Sequence, residues 1–338
     1  MSRIRQWFFV ALVALVAAGC AHNPFNIPRE DYEQRVKVLG VAPIFMDADS
    51  DIRHPERDTL VTLVREYNRV NEKELVNMLR ESGAYFMVRP IEAAAPDELF
   101  RSLLFRSERR DDAGVVYNKH FYKPEEIRTL VTQNSVDAVL LVVVSGLTMR
   151  DRTFASNLVK YLDTDYNVLT MTAQVLDANG TALWEYPNFR VGSPSTPVLA
   201  ELQYPDFDQA AANMDERVEV KFKTIPGITR YLGKKEKDLL FRERKATAPY
   251  YHLFDDMVGL LKPPMDLFNR KDKKDASPAA AAPPPVQTVR PVERPVSQPV
   301  AAPVQAASPQ SAPAPEPVVA VPEPAPIREV PLDGSGAR

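Results

Sequence analysis

Nine consecutive residues, Val136 to Val144, are almost entirely apolar and β-branched, broken only by Asp137 near their start. A strand exposed on one face alternates apolar with polar. An unbroken apolar run of this length marks a strand covered on both faces, so layers must lie above and below it. That reading makes the rest of the chain a search for the covering elements.

The covering elements are legible on both sides of the run. Arg35 to Phe45 reads as a buried strand, with Val36, Val38, Leu39, Val41 and Ile44 apolar and Pro43 near its end. A polar loop from Asp47 to Asp58 follows. Leu60, Leu63, Val64, Tyr67, Val70, Leu75, Met78 and Leu79 then keep the three-four spacing of one buried helical face, and Gly83 is placed to stop that helix. Ala84 to Arg89 reads as a second strand closed by Pro90, and Pro96 to about Arg109 as a shorter helix burying Leu99, Phe100, Leu103 and Leu104. Gly114 to Tyr122 is irregular or a short strand, and Pro124 opens a helix with Ile127, Leu130 and Val131 inward. Tyr166 to Leu176 and Thr181 to Tyr186 flank Asp177-Ala178-Asn179-Gly180, the strongest hairpin signal in the chain. Residues 190–249 read as a polar, helical insertion, and Tyr250 to Leu261 as a last amphipathic helix. The expected fold is α/β, a mixed β-sheet packed with amphipathic helices over residues 35–270.

This order of elements resembles the amino-terminal domain of TolB and the related domains of CsgG-like and LpoB-like envelope lipoproteins. The phrases that carry the likeness are Val36-Lys37-Val38-Leu39-Gly40-Val41-Ala42-Pro43, Tyr85-Phe86-Met87-Val88, Val136-Asp137-Ala138-Val139-Leu140-Leu141, and Val175 to Gly180 with Leu183-Trp184. It covers about Arg35 to Glu185 and the Tyr250 helix, and consists of apolar runs and turns. The loop after Phe45 and the stretch between Asn188 and Pro249 depart from it. The resemblance implies a non-enzymatic, partner-binding module of the cell envelope.

The amino terminus supplies an address. Arg3 and Arg5 precede an unbroken apolar run from Trp7 to Ala18, shorter than the roughly 20 residues a spanning helix needs and suited to the apolar part of a cleaved signal peptide. Val16-Ala17-Ala18-Gly19-Cys20 resembles the lipobox of bacterial lipoproteins, with Ala17 where Leu is usual. Cys20 is the only cysteine, so a disulfide cannot account for it. The expectation is a signal peptide over 1–19, cleavage before Cys20, acylation of its thiol, and a lipidated tether over 20–34 that holds the chain to membrane lipid. Ala21 in place of Asp, by resemblance to the sorting rule of enteric bacteria, favours the periplasmic side of the outer membrane.

More than half of the 31 prolines lie from Pro278 onward, among Ala, Val, Gln and Ser. Residues 271–338 contain no aromatic residue and no regular period, so they are expected to form a disordered, Pro/Ala-rich tail. Fully extended it could reach on the order of 200 Å, which would bring it near peptidoglycan or present Pro-rich motifs to a partner. A net charge of −3 gives no footprint for nucleic acid, and none is expected as a partner.

Residues able to carry chemistry are sparse. Asp47, Asp49, Asp51 and Asp58 follow the spacing of a calcium loop, but Ile52 stands where Gly is required and Pro55 interrupts, which favours a solvated acidic loop. His22, His54, His120 and His252 fall in no ligand spacing, and His54 is the one near several aspartates. Gly192-Ser193-Pro194 lacks the context of a nucleophile elbow. Asp163 and Asp165 would share a strand face as a hydrolytic carboxylate pair, but their surroundings read better as an exposed loop. Lys234-Lys235-Glu236-Lys237 with Arg242, Arg244 and Lys245 reads as a solvated helix, with contact to anionic headgroups as the alternative. No catalytic residue, metal or cofactor is expected, and the partner-binding residues are not identifiable. The expected role is an accessory or scaffold subunit of an envelope assembly; a cell-wall hydrolase and an oligomeric secretion or transport component are the alternatives.

Overall fold

The apolar run becomes the start of one of two seventeen-residue strands among the described residues. The computed structural model describes residues 23–263 apart from 157–159, 193 and 239–240, so the expected signal peptide, Cys20, His22, Ser193 and the expected tail from 271 lie outside the described residues. In chain order the first half comprises α1 (Arg29–Arg35), β1 (Val38–Asp47), α2 (Arg57–Glu81), β2 (Met87–Pro90), α3 (Pro96–Leu103), β3 (Leu104–Asp112), β4 (Val115–Tyr122) and α4 (Pro124–Gln133). The second half comprises β5 (Ala138–Phe154), β6 (Tyr161–Asp177), β7 (Ala182–Tyr186), β8 (Val198–Glu201), β9 (Gln203–Pro205), α5 (Phe207–Ala212), β10 (Val220–Phe222), α6 (Ile225–Leu232) and α7 (Ala248–Leu261).

The main sheet is mixed, in the order β2-β1-β5-β6-β7 with β8 also on β6. β1 runs parallel to both β2 and β5, while β5, β6 and β7 form an antiparallel meander and β8 is antiparallel to β6. The double burial demanded by the apolar run is met residue by residue. Ala138, Leu140, Val142 and Val144 join Leu60, Val64 and Leu79 of α2 and Tyr250, Phe254 and Val258 of α7. Val139, Leu141 and Val143 point the other way, onto Phe100 and Leu103 of α3 and Ile127, Leu130 and Val131 of α4. The molecule is a layered α/β structure with the core split by the sheet.

Several segments differ from their sequence readings. α2 buries Leu60, Val64, Leu75 and Leu79, but Val70 is 55% exposed, while Asn68 and Asn71 take buried places. They do so because each has partners: Tyr250 Oη donates to Asn68 Oδ1 at 2.7 Å, and Asn71 Oδ1 accepts from Thr247 N at 2.8 Å, tying α2 to the start of α7. The expected helix from Pro96 to Arg109 stops at Leu103. Its remainder is β3, which pairs with β4 through the two-residue Ala113-Gly114 turn, both residues at positive φ. The helical insertion at 190–249 is instead a mixture. β8 joins the main sheet, β9 and β10 pair with each other, and α5 and α6 are short.

The tether expected over 20–34 is largely built into the domain from Asn23 onward. Phe25 is 1% exposed, stacks on Tyr32 at 3.9 Å and bridges to Trp184. Asn26 N donates to Leu183 O at 2.8 Å, Tyr32 and Tyr85 hydroxyls lie 2.7 Å apart, and Arg29 Nη1 donates to Lys262 O at 3.2 Å.

Candidate functional site

A candidate site with open space arises from a mismatch in strand length. β2 has four residues and β1 ten, so β2 covers only Val38 to Val41. After Pro90 the chain makes one more bond, Ile91 N to Val41 O at 2.8 Å, and leaves for α3. A register shift between Val41 and Ile44, around Pro43 with its missing N–H, turns the rest of β1. From Ala42 onward its outer edge has no strand neighbour.

Side chains of α2 stand in for that strand. Glu72 Oε1 accepts the Ile44 N–H at 3.0 Å, and Asn68 Nδ2 donates to the carbonyl of Ile44 at 3.2 Å. Further along, Arg80 donates to Val88 O on β2 at 3.0 and 3.2 Å. These contacts leave a cavity of about 500 Å³, floored by Pro43, Ile44, Phe45, Met46, Ile91 and Ala93. A second cavity of about 300 Å³ shares Pro43, Arg69, Glu72, Pro90 and Ile91 with the first and continues to Lys73 and Arg80. A third, about 340 Å³, shares Arg80 and Pro90 and lies against Phe86 to Arg89, where Phe86 is 84% exposed. The three form one trough along the sheet edge, and the first lies past the carboxyl end of β2, a place where open α/β sheets commonly hold ligands.

The charges around the first cavity do not balance. Arg65 and Arg69 face Glu66, Glu72, Glu92 and Asp97. Arg65 is committed to Asp97 at 3.0 Å, and Glu66 and Glu92 have no ion-pair partner among the described residues. Burial pushes the Glu72 carboxyl above its usual range, against the opposing pull of the Ile44 N–H and Arg69.

A second polar cluster lies under β4. Asp47 Oδ2 is 3.1 Å from His120 Nε2, and Thr172 Oγ1 is 3.5 Å from His120 Nδ1. Carboxylate, imidazole and hydroxyl stand in the order of a hydrolase triad. Asp47, His120 and Thr172 are nevertheless 4%, 3% and 6% exposed, and the adjoining cavity of about 10 Å³ has room for at most one water. With Asn118 Nδ2 donating to Ser145 Oγ at 2.9 Å, the cluster fastens the β3–β4 hairpin to the sheet. Nothing in the spacing of Asp47, His120 and Thr172 along the chain foretells this meeting.

The other candidates disperse. Asp51 bonds Arg53 and Thr148, and Ile52, at the place a calcium loop reserves for Gly, is buried against Gly146. No group of three or more His, Cys, Asp or Glu able to hold a metal occurs among the described residues. His54 Nδ1 accepts from Glu56 N at 3.0 Å, so its Nε2 donates to Lys223 O at 2.8 Å; it makes no aspartate contact. His252 pairs with Glu236 at the surface. Asp163 and Asp165 lie on β6, not in a loop, and Asp163 is held by Arg150 at 2.6 Å and Arg152 at 3.1 Å. Those guanidinium bonds keep its carboxyl below the usual range, the wrong direction for a general acid. The basic stretch from Lys234 is not the expected helix but doubles back on itself, with an antiparallel Lys237–Glu243 bridge, an Arg242–Asp238 pair and Arg244 stacked 3.5 Å from the Tyr251 ring. No family model matches the chain, and no curated protein matches its sequence.

Proposed function

We propose that this chain is a lipoprotein anchored through Cys20 to the outer membrane and facing the periplasm, where it serves as a non-enzymatic accessory or scaffold subunit by binding another protein. The trough at the β1–β2 edge carries the reading: it joins an apolar floor, unpaired carboxylates and a strand edge served only by side chains, which are the materials of recognition. The sequence signal ending at Cys20 supplies the address. Phe25 is packed into the core five residues after Cys20, so a lipid on that thiol would hold the domain within about 18 Å of its attachment point.

The test has two parts. Palmitate labelling should be lost in Cys20→Ala; persistence removes the anchor. Affinity capture from detergent-solubilised membranes should recover a stoichiometric partner. Recovery of the chain alone, together with muralytic activity lost in Asp163→Asn, would place it among cell-wall hydrolases.

A further inference from the structure

We propose that the trough receives an extended segment of the partner protein, apolar and carrying a basic side chain, which adds as a strand beside the second half of β1; this rests on the partner-binding reading above. The backbone argument comes first. Beyond Val41 the outer edge of β1 is unpaired by strand, and the N–H and C=O of Ile44 are held by the side chains of Glu72 and Asn68. An incoming strand can offer its own C=O and N–H to those two groups, the mode by which sheet edges take up peptides. Residues 43–46, the part of β1 that lines the first cavity, would accommodate an extended stretch of about 13 Å.

Charge then selects the segment. Displacing Glu72 from Ile44 removes a hydrogen bond from a carboxylate already partly out of water, and a lysine or arginine on the incoming strand would restore a partner to it. Glu66 and Glu92 at the rim add to the same attraction. With Arg65 taken by Asp97, an acidic segment at the first cavity would meet Glu66, Glu72 and Glu92 against the single guanidinium of Arg69. The floor of Phe45, Met46, Ile91 and Ala93 takes the alternate apolar side chains, and the linked cavities run along the edge, which suits a chain more than a compact ligand.

Edge protection alone would need polar side chains over exposed backbone. It would not need an apolar cavity of about 500 Å³ beside them.

Selection of a phage-displayed random nonapeptide library on the full-length protein in detergent tests this. Sequences alternating apolar residues with Lys or Arg should be enriched. Ala93→Trp, which fills the floor, should retain none of them. The leading peptide, by fluorescence anisotropy, should bind Glu72→Gln more weakly by about tenfold or more; glutamine keeps the acceptor for Ile44, so the fold is preserved. No enrichment, an acidic consensus, or equal retention on Ala93→Trp would overturn the proposal. Concentration-dependent dimerisation abolished by Ala93→Trp would also overturn it, by assigning the trough to a second copy. A membrane partner captured equally by wild type and Ala93→Trp would sink the trough as the site while leaving the scaffold reading intact; no partner with either would sink that reading instead.

Discussion

Replacing Phe25 by alanine tests whether the segment after Cys20 is a tether or part of the domain. The ring is 1% exposed, stacked on Tyr32, capped by Arg29 at 5.1 Å and bridged to Trp184. A buried phenylalanine withdraws on the order of 200 Å² from water, about 5 kcal/mol at ~25 cal/mol per Å². Phe→Ala substitutions in cores cost about 3–5 kcal/mol. Because residues 23–35 form the edge of the described structure, the loss cannot exceed the free energy that docks them; beyond it the segment detaches and the rest stays folded. The expected loss is about 3 kcal/mol, or roughly 6–12 °C in Tm for a domain of this size. Trp184 is the only tryptophan besides Trp7, so its emission in the chain cut before Cys20 reports directly on the Phe25 contact during urea unfolding. A shift below about 0.5 kcal/mol with unchanged emission would refute the docking and restore a free tether.

Three further outcomes follow from buried or partly buried groups and from the tail. The folded pKa of Glu72 is raised above the ordinary 4.5, so the folded state holds this proton more tightly than the unfolded one. Its contribution therefore weakens folding as pH rises through that window and is absent below it. Glu72→Gln should flatten the decline in urea midpoint above pH 4.5, and a steeper decline in the variant would contradict the assignment. His120→Ala leaves Asp47 buried without its imidazole partner and should cost about 2–4 kcal/mol in urea unfolding; a near-neutral result would mean the β3–β4 hairpin is not fastened there. Truncation before Lys271 should leave the thermal midpoint unchanged, whereas a fall of several degrees would make the tail part of the fold.

The sheet's central layers were legible because burial on two faces leaves a composition that nothing else explains. Val136 to Val144, the α2 stripe and the Asp177–Gly180 turn all report local physics. Misreadings occurred where a neighbour decided the outcome. Leu104 continues a helical period, yet the charged run Arg106 to Asp112 gains a ladder from β4 once Ala113-Gly114 turns the chain. Asn68 and Asn71 look like solvent positions until Tyr250 and Thr247, about 180 residues away, satisfy them. The trough was invisible for a related reason. No residue in it is unusual, and it exists only because β2 is shorter than β1 and Pro90 ends the pairing.

The placement of the chain ends bears on which neighbours the domain can meet. Phe25 lies against β7 at the end of the sheet where β1 and β5 begin, and the Arg29–Lys262 contact brings the exit of α7 to the same end. The trough begins beside Phe86 to Arg89 and, past Val41, follows β1 away from that end. β5 and β6 run still further: β1 stops opposite Ser145, and the two strands continue paired from Gly146 to Phe154 and from Tyr161 to Leu169. At about 3.4 Å per residue, seventeen residues of β5 place the Phe154 end on the order of 50 Å from the sheet's base. A lipid on Cys20 would then sit at one end of the domain and the ribbon at the other. The ribbon also carries Arg150, Arg152, Asp163 and Asp165, charges that are costly in lipid and suited to a wet surface. If Cys20 is acylated as proposed, a short anchor at one end, the trough along β1 and the ribbon at the far end would suit a domain that reaches from a membrane toward something facing it, which favours the scaffold over a component that returns a hairpin to the same bilayer.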